Sequence, residues 1–380
     1  MSRPSLALID LFSSIPDFRQ SKGKRHPLAS ILSLAVAAIL CGYKSYSAIA
    51  EWGRFYGHHL AAALGFTHAK TPCAATLHNV FHQIDKDLLE DRLASWAQSV
   101  LQASADPTHL EGIAIDGKSL RGSRKQGCLQ AHLLSAVSQR LGLTLFERGV
   151  EDKTNEIGVI VELLKGLLLD GKVITVDALL TQRDVAESIT REGGHYVMIV
   201  KDNQPHLRQV IEGAIEGIPF YREEPQRAES LDIGHGRIEE RKLLATSVLA
   251  GQEEIWPGIS QVFRLERRVE FAKSGKKSYE MVYGVTSLGG EQACGEKLLE
   301  LVRRHWVIEN KSHWVRDVVY GEDHSQVRNG SIPQVMAALR NAAIGLMRSA
   351  GETCIASACR KFAAQPWQAL ALMGIHQKIE

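Results

Sequence analysis

The feature that most constrains the fold is a series of short apolar runs between residues 111 and 205, each stopped by polar residues. "GIAIDGKSL" stops at Asp116, "GKVITVDALL" at Asp177 and "HYVMIVKDNQP" at Lys201. Short apolar runs without polar alternation are strands buried on both faces, the kind found in sheets covered by helices. Between them, "NEIGVIVELLKGLLLD" has the spacing of an amphipathic helix capped by Asn155. "TQRDVAESITREGG" has that of a helix with Thr181 as cap and Gly193 as stop. "AHLLSAVSQRLGLTLFERGV" gives two strands around a Leu-Gly turn. The order is strand, strand, strand, helix, strand, helix, strand. It predicts an α/β architecture: a mixed sheet with flanking helices on both faces.

The flanks differ in texture. Residues 1–105 have three- and four-residue apolar spacing throughout and predict an N-terminal all-helical domain, of a kind that includes DNA-binding modules. Residues 106–350 make up the α/β domain, with a β-rich insertion over 205–295 carried by "RKLLATSVL", "QVFRLERRVEF" and "SYEMVYGVTSL". The chain then returns to helix through "CGEKLLELVRRHWVIENKSHWVRDVVY" and closes the domain with "PQVMAALRNAAIGLMRSA", leaving 351–380 as a tail. Internal repeats and low-complexity tracts are absent from the sequence.

Composition narrows the class. With 380 residues, 44% apolar and 23% charged, a packed core is expected and wholesale disorder is not. The net charge of +2 selects no partner, because nucleic-acid binding depends on local patches. Six scattered cysteines without a Cys-x-x-Cys pair argue against a disulfide framework and a thiolate zinc site, and fit a reduced cytoplasmic protein. The apolar segment "HPLASILSLAVAAILCGY" follows a basic run, but is too short to span a bilayer and is expected as a buried helix. No membrane partner is expected.

Three carboxylates invite chemistry. Asp116 and Asp177 each end a buried strand, where side chains leave the packed sheet for solvent. On neighbouring strands they would share one space, and close carboxylates must share a proton or a cation. Hard oxygen donors select Mg²⁺ or Mn²⁺. Either Asp could instead start a turn, an explanation that fits Asp116-Gly117 better than Asp177-Ala178. Glu309 lies on a helical face with His305, Ser312, His313 and Arg316. It could complete a cluster with the two aspartates, with Arg316 reaching a nearby phosphate, or be a surface glutamate paired with Lys311 or His313. His305 and His313 are eight residues apart, not at the four-residue spacing of a helical zinc pair. Trp306 is expected in the core.

The segments "IAIDGKSLRGS", "VITVDALLTQ", "VKDNQP" and "RRHWVIENKSHWVRDVVYGED" together resemble the DDE transposases of bacterial insertion sequences, in the ISAs-type, H-repeat-associated branch. "DFRQSKGKRHPLASILSLAVAAILCGYKSYSAIAEWG" resembles the helical domain that accompanies this branch, and the likeness runs from about residue 10 to 350. It implies a ribonuclease H-like core in which Asp116, Asp177 and Glu309 are the catalytic, metal-binding triad. It also implies that 205–295 is the insertion carried before the glutamate. The wider group has a Tyr-x2-Arg-x3-Glu-x6-Lys pattern; here Val302, His305 and Arg316 stand at the Tyr, Arg and Lys positions.

The resemblance further implies two Mg²⁺ or Mn²⁺ ions, about 3.5–4 Å apart, serving cleavage and strand transfer on double-stranded DNA. The substrates are the element's ends and target DNA, handled by a homodimer at the bacterial nucleoid. Lys118, Arg121, Arg124, Lys125, Lys201, Asn203, Arg303, Arg304, His305, Arg316 and Arg328 are the groups placed to touch DNA. A structure-specific nuclease on the same fold, or a catalytically idle DNA-binding relic, are the competing expectations.

Overall fold

A computed structural model describes residues 7–68, 70–106, 109–123, 131–150, 156–221 and 224–376. Asn155, Arg124, Lys125 and Cys128 lie outside the described residues. The chain packs as two compact units. One comprises Met1–Thr108, Gly117–Asn155 and Val307–Glu380; the other comprises His109–Asp116 and Glu156–Trp306.

In chain order, helices α1 (Leu8–Ser13), α2 (Leu28–Leu40), α3 (Tyr46–Ala63), α4 (Ala74–Gln83) and α5 (Lys86–Ala103) precede strands β1 (Glu111–Ser119), β2 (His132–Ser138) and β3 (Thr144–Val150). Helix α6 (Glu156–Lys165), β4 (Lys172–Val176), α7 (Arg183–Arg191), β5 (His195–Val200) and α8 (Pro205–Glu216) follow. Then come β6 (Gln226–Gly234), β7 (Arg237–Thr246), β8 (Gln261–Phe271), β9 (Lys277–Thr286) and α9 (Gly295–Arg304). Two π-helical turns, Glu309–His313 and Val315–Val319, lead to α10 (Ile332–Ser349), α11 (Ile355–Ala364) and α12 (Pro366–Leu372).

The first unit is mostly helical. Helix α2 is its centre: twelve of its thirteen residues are buried, so it is apolar all round because neighbours cover every side. No described helix is long and apolar enough to cross a membrane. Helix α3 starts at Ser45, whose hydroxyl accepts the Ala48 N–H, and α5 starts at Asp85, whose carboxylate accepts the N–H groups of Asp87 and Leu88. The β2–β3 hairpin packs on α5 and α10. Residues 355–372, expected as a tail, form α11 and α12, and the Cys41 thiol donates to the Phe362 carbonyl at 3.3 Å.

The second unit is built on a large mixed sheet in the order β1-β4-β5-β9-β8-β7-β6. Strands β1, β4 and β5 are parallel, which the intervening helices α6 and α7 make possible. Strand β9 returns antiparallel to β5, so the β-rich insertion extends this sheet rather than forming a separate body. The 205–295 segment opens with helix α8, ahead of the expected strands. Phe263 on β8 lies against Gly284 on β9, where a Cβ would come within 2.1 Å of the ring. The glycine therefore lets a fully buried phenyl lie on the backbone, a burial that contributes roughly 1.5–3 kcal/mol. Helix α7 begins with Gln182 as its cap, one residue later than expected. The Thr181 hydroxyl is committed elsewhere: it donates to the carbonyls of Asp177 and Ile199.

Candidate active site

Within the second unit, β1 and β4 run parallel with Ile115 opposite Val176. The next residue on each side is Asp116 and Asp177. Both strands are carried into the interior by apolar side chains, and Ile113, Ala114, Ile115, Val173 and Ile174 are fully buried. The aspartates are the first residues to escape that packing, and both are half-buried. Asp177 does take part in a turn, since its Oδ1 accepts the Leu180 N–H at 3.1 Å. The turn is pinned from two sides. Thr181 ties it to the end of β5, and the Asn203 amide donates to the Ala178 carbonyl at 2.6 Å and to the Thr181 carbonyl at 3.3 Å. Asn203, expected on DNA, instead spends its donors on the loop that carries Asp177.

His305 was also expected on DNA. Its Nδ1 lies 3.0 Å from the Thr175 hydroxyl on β4, two residues before Asp177 and on the same face. The imidazole is therefore anchored to β4.

Within the first unit, Glu309 opens a π-helical turn, a wide turn in which the Trp314 N–H bonds back to the Glu309 carbonyl. Such turns are rare and concentrate at functional sites. The Glu309 carboxylate is about half exposed, and its Oε2 lies 3.3 Å from Nδ1 of His313, which is buried. The hydrogen bond from His313 holds the Glu309 carboxyl below its ordinary range; burial opposes this, and the charges of His313 and Lys118 reinforce it. Lys118, 7% exposed, donates to Asp317 Oδ2 at 2.6 Å. It is fixed inside the unit rather than presented to DNA.

Arg316 departs furthest from expectation. Its side chain is fully buried and donates to Glu147 Oε2 at 2.6 Å and to Glu322 Oε2 at 2.8 Å. Arg340 donates to the other oxygen of Glu322 at 2.8 Å, and Ser135 donates to Glu147. Burial pushes the Glu322 carboxyl up, but the two guanidinium groups outweigh it and hold the carboxyl below its ordinary range. Arg316 thus clamps the glutamate segment to β3 and, through Glu322, to α10; it has no face left for a phosphate. Trp306, expected in the core, is 60% exposed, and Trp314 is 52% exposed. Ile308 and Val315 supply the packing instead.

The other described cations expected on DNA are at the surface. Arg121 is 80% exposed and 3.7 Å from Asp323. Lys201 lies 3.8 Å from Glu280, and Arg304 lies 3.0 Å from Glu300 on its own helix. Arg303 is paired with Asp232, and Arg328 turns back to the Gly122 carbonyl. Sequence reasoning missed Glu147, Glu322 and Asp317 as partners of this segment. The isolated Glu147 within an apolar hairpin was the available signal.

Residues 107–346 match the family model described as "Transposase DDE domain", and residues 9–97 match its companion, described as "DDE_Tnp_1-associated". The chain is 30% identical over 90% of its length to "Putative transposase YncI" of Escherichia coli O157:H7, covering 87% of that protein. It is 31% identical to "H repeat-associated putative transposase YhhI" of Escherichia coli K12, covering 90% of each chain. A solved piggyBac transposase synaptic complex with hairpin DNA aligns over 98% of this chain and 78% of its own at 9% identity and a TM-score of 0.42, too low to carry detail. The matched domain implies use of a divalent metal and a nucleic-acid-cleaving enzyme. The chain belongs to the DDE transposase family, alongside the H repeat-associated members.

Proposed function

We propose that this transposase cuts DNA at the ends of its insertion sequence and joins them to target DNA. Asp116, Asp177 and Glu309 would be the metal-holding triad of a ribonuclease H-like core. One observation carries the reading: Asp116, inside β1, and Asp177, just past β4, both follow the last register pair of these parallel strands, Ile115 opposite Val176, in a chain matching the DDE domain over residues 107–346.

The donor set fits the metal. Carboxylate oxygens are the hard ligands that Mg²⁺ and Mn²⁺ favour. When bound, two such ions would supply an activated water or 3′-OH and stabilise the leaving 3′ oxygen. The protein's part is positional. Asp177 gives one oxygen to the Leu180 N–H and keeps the other for an ion, on a loop that Thr181 and Asn203 immobilise. Glu309 likewise gives one oxygen to His313 and keeps the other. Asp116 would supply the remaining carboxylate oxygens.

Double-stranded DNA is the partner in this reading. Arg121, Lys201 and Arg304 are the exposed cations available to its phosphates. Sequence choice falls to the helical segment 1–105 or to the insertion, with a homodimer holding the two ends at the bacterial nucleoid. The test is cleavage of a plasmid carrying the element's ends, followed by strand transfer with pre-cut ends. The wild type should do both with Mg²⁺, and Asp177→Asn should do neither. An Asp177→Asn protein with full activity would sink the reading, and cleavage without strand transfer would make the protein a nuclease.

A further inference from the structure

We propose that His313 is the positioning residue for Glu309: its buried imidazole, donating through Nδ1, fixes one carboxylate oxygen so that the other faces an ion. The inference rests on the triad reading above and extends it to a residue outside that triad. Glu309 stands about half exposed on a π-helical turn, and its side chain has three torsions to fix. Its Oε2 lies 3.3 Å from His313 Nδ1. His313 is 3% exposed, so the imidazole cannot swing away without opening the unit. The next turn is held in the same way, since Arg316 is fully buried between Glu147 and Glu322. The support behind Glu309 is therefore buried and paired, whereas Glu309 itself is half exposed.

The direction of the bond follows from charge. An ionised carboxylate only accepts, so the ring nitrogen facing it must carry the proton. Metal-ligating carboxylates are commonly oriented by such outer partners, whose loss costs about 10–100-fold in metal affinity or activity.

The two ring nitrogens allow a test that a general packing role would not pass. Asparagine places its amide N–H near the position of Nδ1, and glutamine places its own near that of Nε2. Mn²⁺ binding by the full-length protein, followed by calorimetry, is compared for His313→Asn, His313→Gln and His313→Leu. The expected result is about tenfold weaker binding in His313→Leu and His313→Gln, with His313→Asn within about threefold of wild type. DNA cleavage should follow the same order.

Wild-type affinity in His313→Leu would overturn the proposal, as would rescue by glutamine and not asparagine, which would make Nε2 a direct metal ligand. If His313→Leu does not fold, the asparagine and glutamine pair decides, and equal affinities overturn the proposal. Asp116→Asn separates the two levels. If it binds Mn²⁺ as the wild type does, the triad reading falls and takes this inference with it. If it loses Mn²⁺ while His313→Leu does not, only the inference falls.

Discussion

Arg316→Met replaces a fully buried guanidinium with an apolar side chain of similar length. It takes from Glu147 and Glu322 the guanidinium they share, leaving Glu147 its bond from Ser135 and Glu322 its bond from Arg340, both carboxylates being 3% exposed. Removing one member of a buried ion network costs roughly 3–5 kcal/mol, because the partner charges stay desolvated without their counterion. At roughly 2 °C per kcal/mol for a chain of this size, the melting temperature should fall by about 6–10 °C.

The pH dependence should change as well. Arg316 and Arg340 hold the Glu322 carboxyl below 4.5, so its contribution is complete above that pH and is lost as pH falls through the depressed value. Without Arg316 the depression shrinks, and the variant should lose less on acidification than the wild type. Thermal melts between about pH 3 and 8 measure both effects. The reasoning fails if Arg316→Met melts within a degree of wild type while its DNA affinity drops and the salt slope falls by about one. That pattern would belong to an arginine on a phosphate.

Other positions give separate tests. Gly122→Ala places a Cβ 2.5 Å from the Ser325 carbonyl and 2.8 Å from that of Glu322, so it should destabilise by about 1–3 kcal/mol in denaturant titration. Arg121→Ala removes an 80% exposed cation and should weaken DNA binding and its salt dependence without moving the melting temperature. Asn203→Ala should do the reverse, keeping DNA affinity while slowing cleavage about tenfold as the Asp177 loop loosens. Burial, then the charge of Glu147, pushes the Glu90 carboxyl well above 4.5, so stability present below that pH is lost as pH rises through the raised value. Glu90→Gln should therefore flatten the alkaline side of the stability profile in melts from about pH 5 to 9.

The central strands were legible because burial on both faces leaves an apolar run with a sharp polar end. Asp116 and Asp177 were singled out as candidates by that route, and β1, β4 and β5 follow the expected order. Strand β6 was not legible. "QRAESLDIG" lies at the sheet edge with much of its surface exposed, so no apolar pattern marks it. Arg316 was misplaced for a different reason. An arginine becomes a core residue only when carboxylates come to meet it, and Glu147 lies 169 positions away in the chain. Trp306 shows the converse: a large aromatic on a helical face carries no sign of which way the face turns. The π-helical turns compound this, because a wider turn shifts every later residue relative to the 3.6-residue count. Thr181 and Asn203 look like cap and contact residues in sequence, and only the approach of β5 to the loop after β4 shows them holding Asp177.

The most direct measurement is the anomalous signal of Mn²⁺ in crystals of the protein bound to DNA of its element's ends. Two peaks, with oxygens of Asp116, Asp177 and Glu309 within about 2–2.5 Å of one or both, are the predicted result. Peaks that leave Glu309 out of reach, or that gather on other side chains, would contradict it.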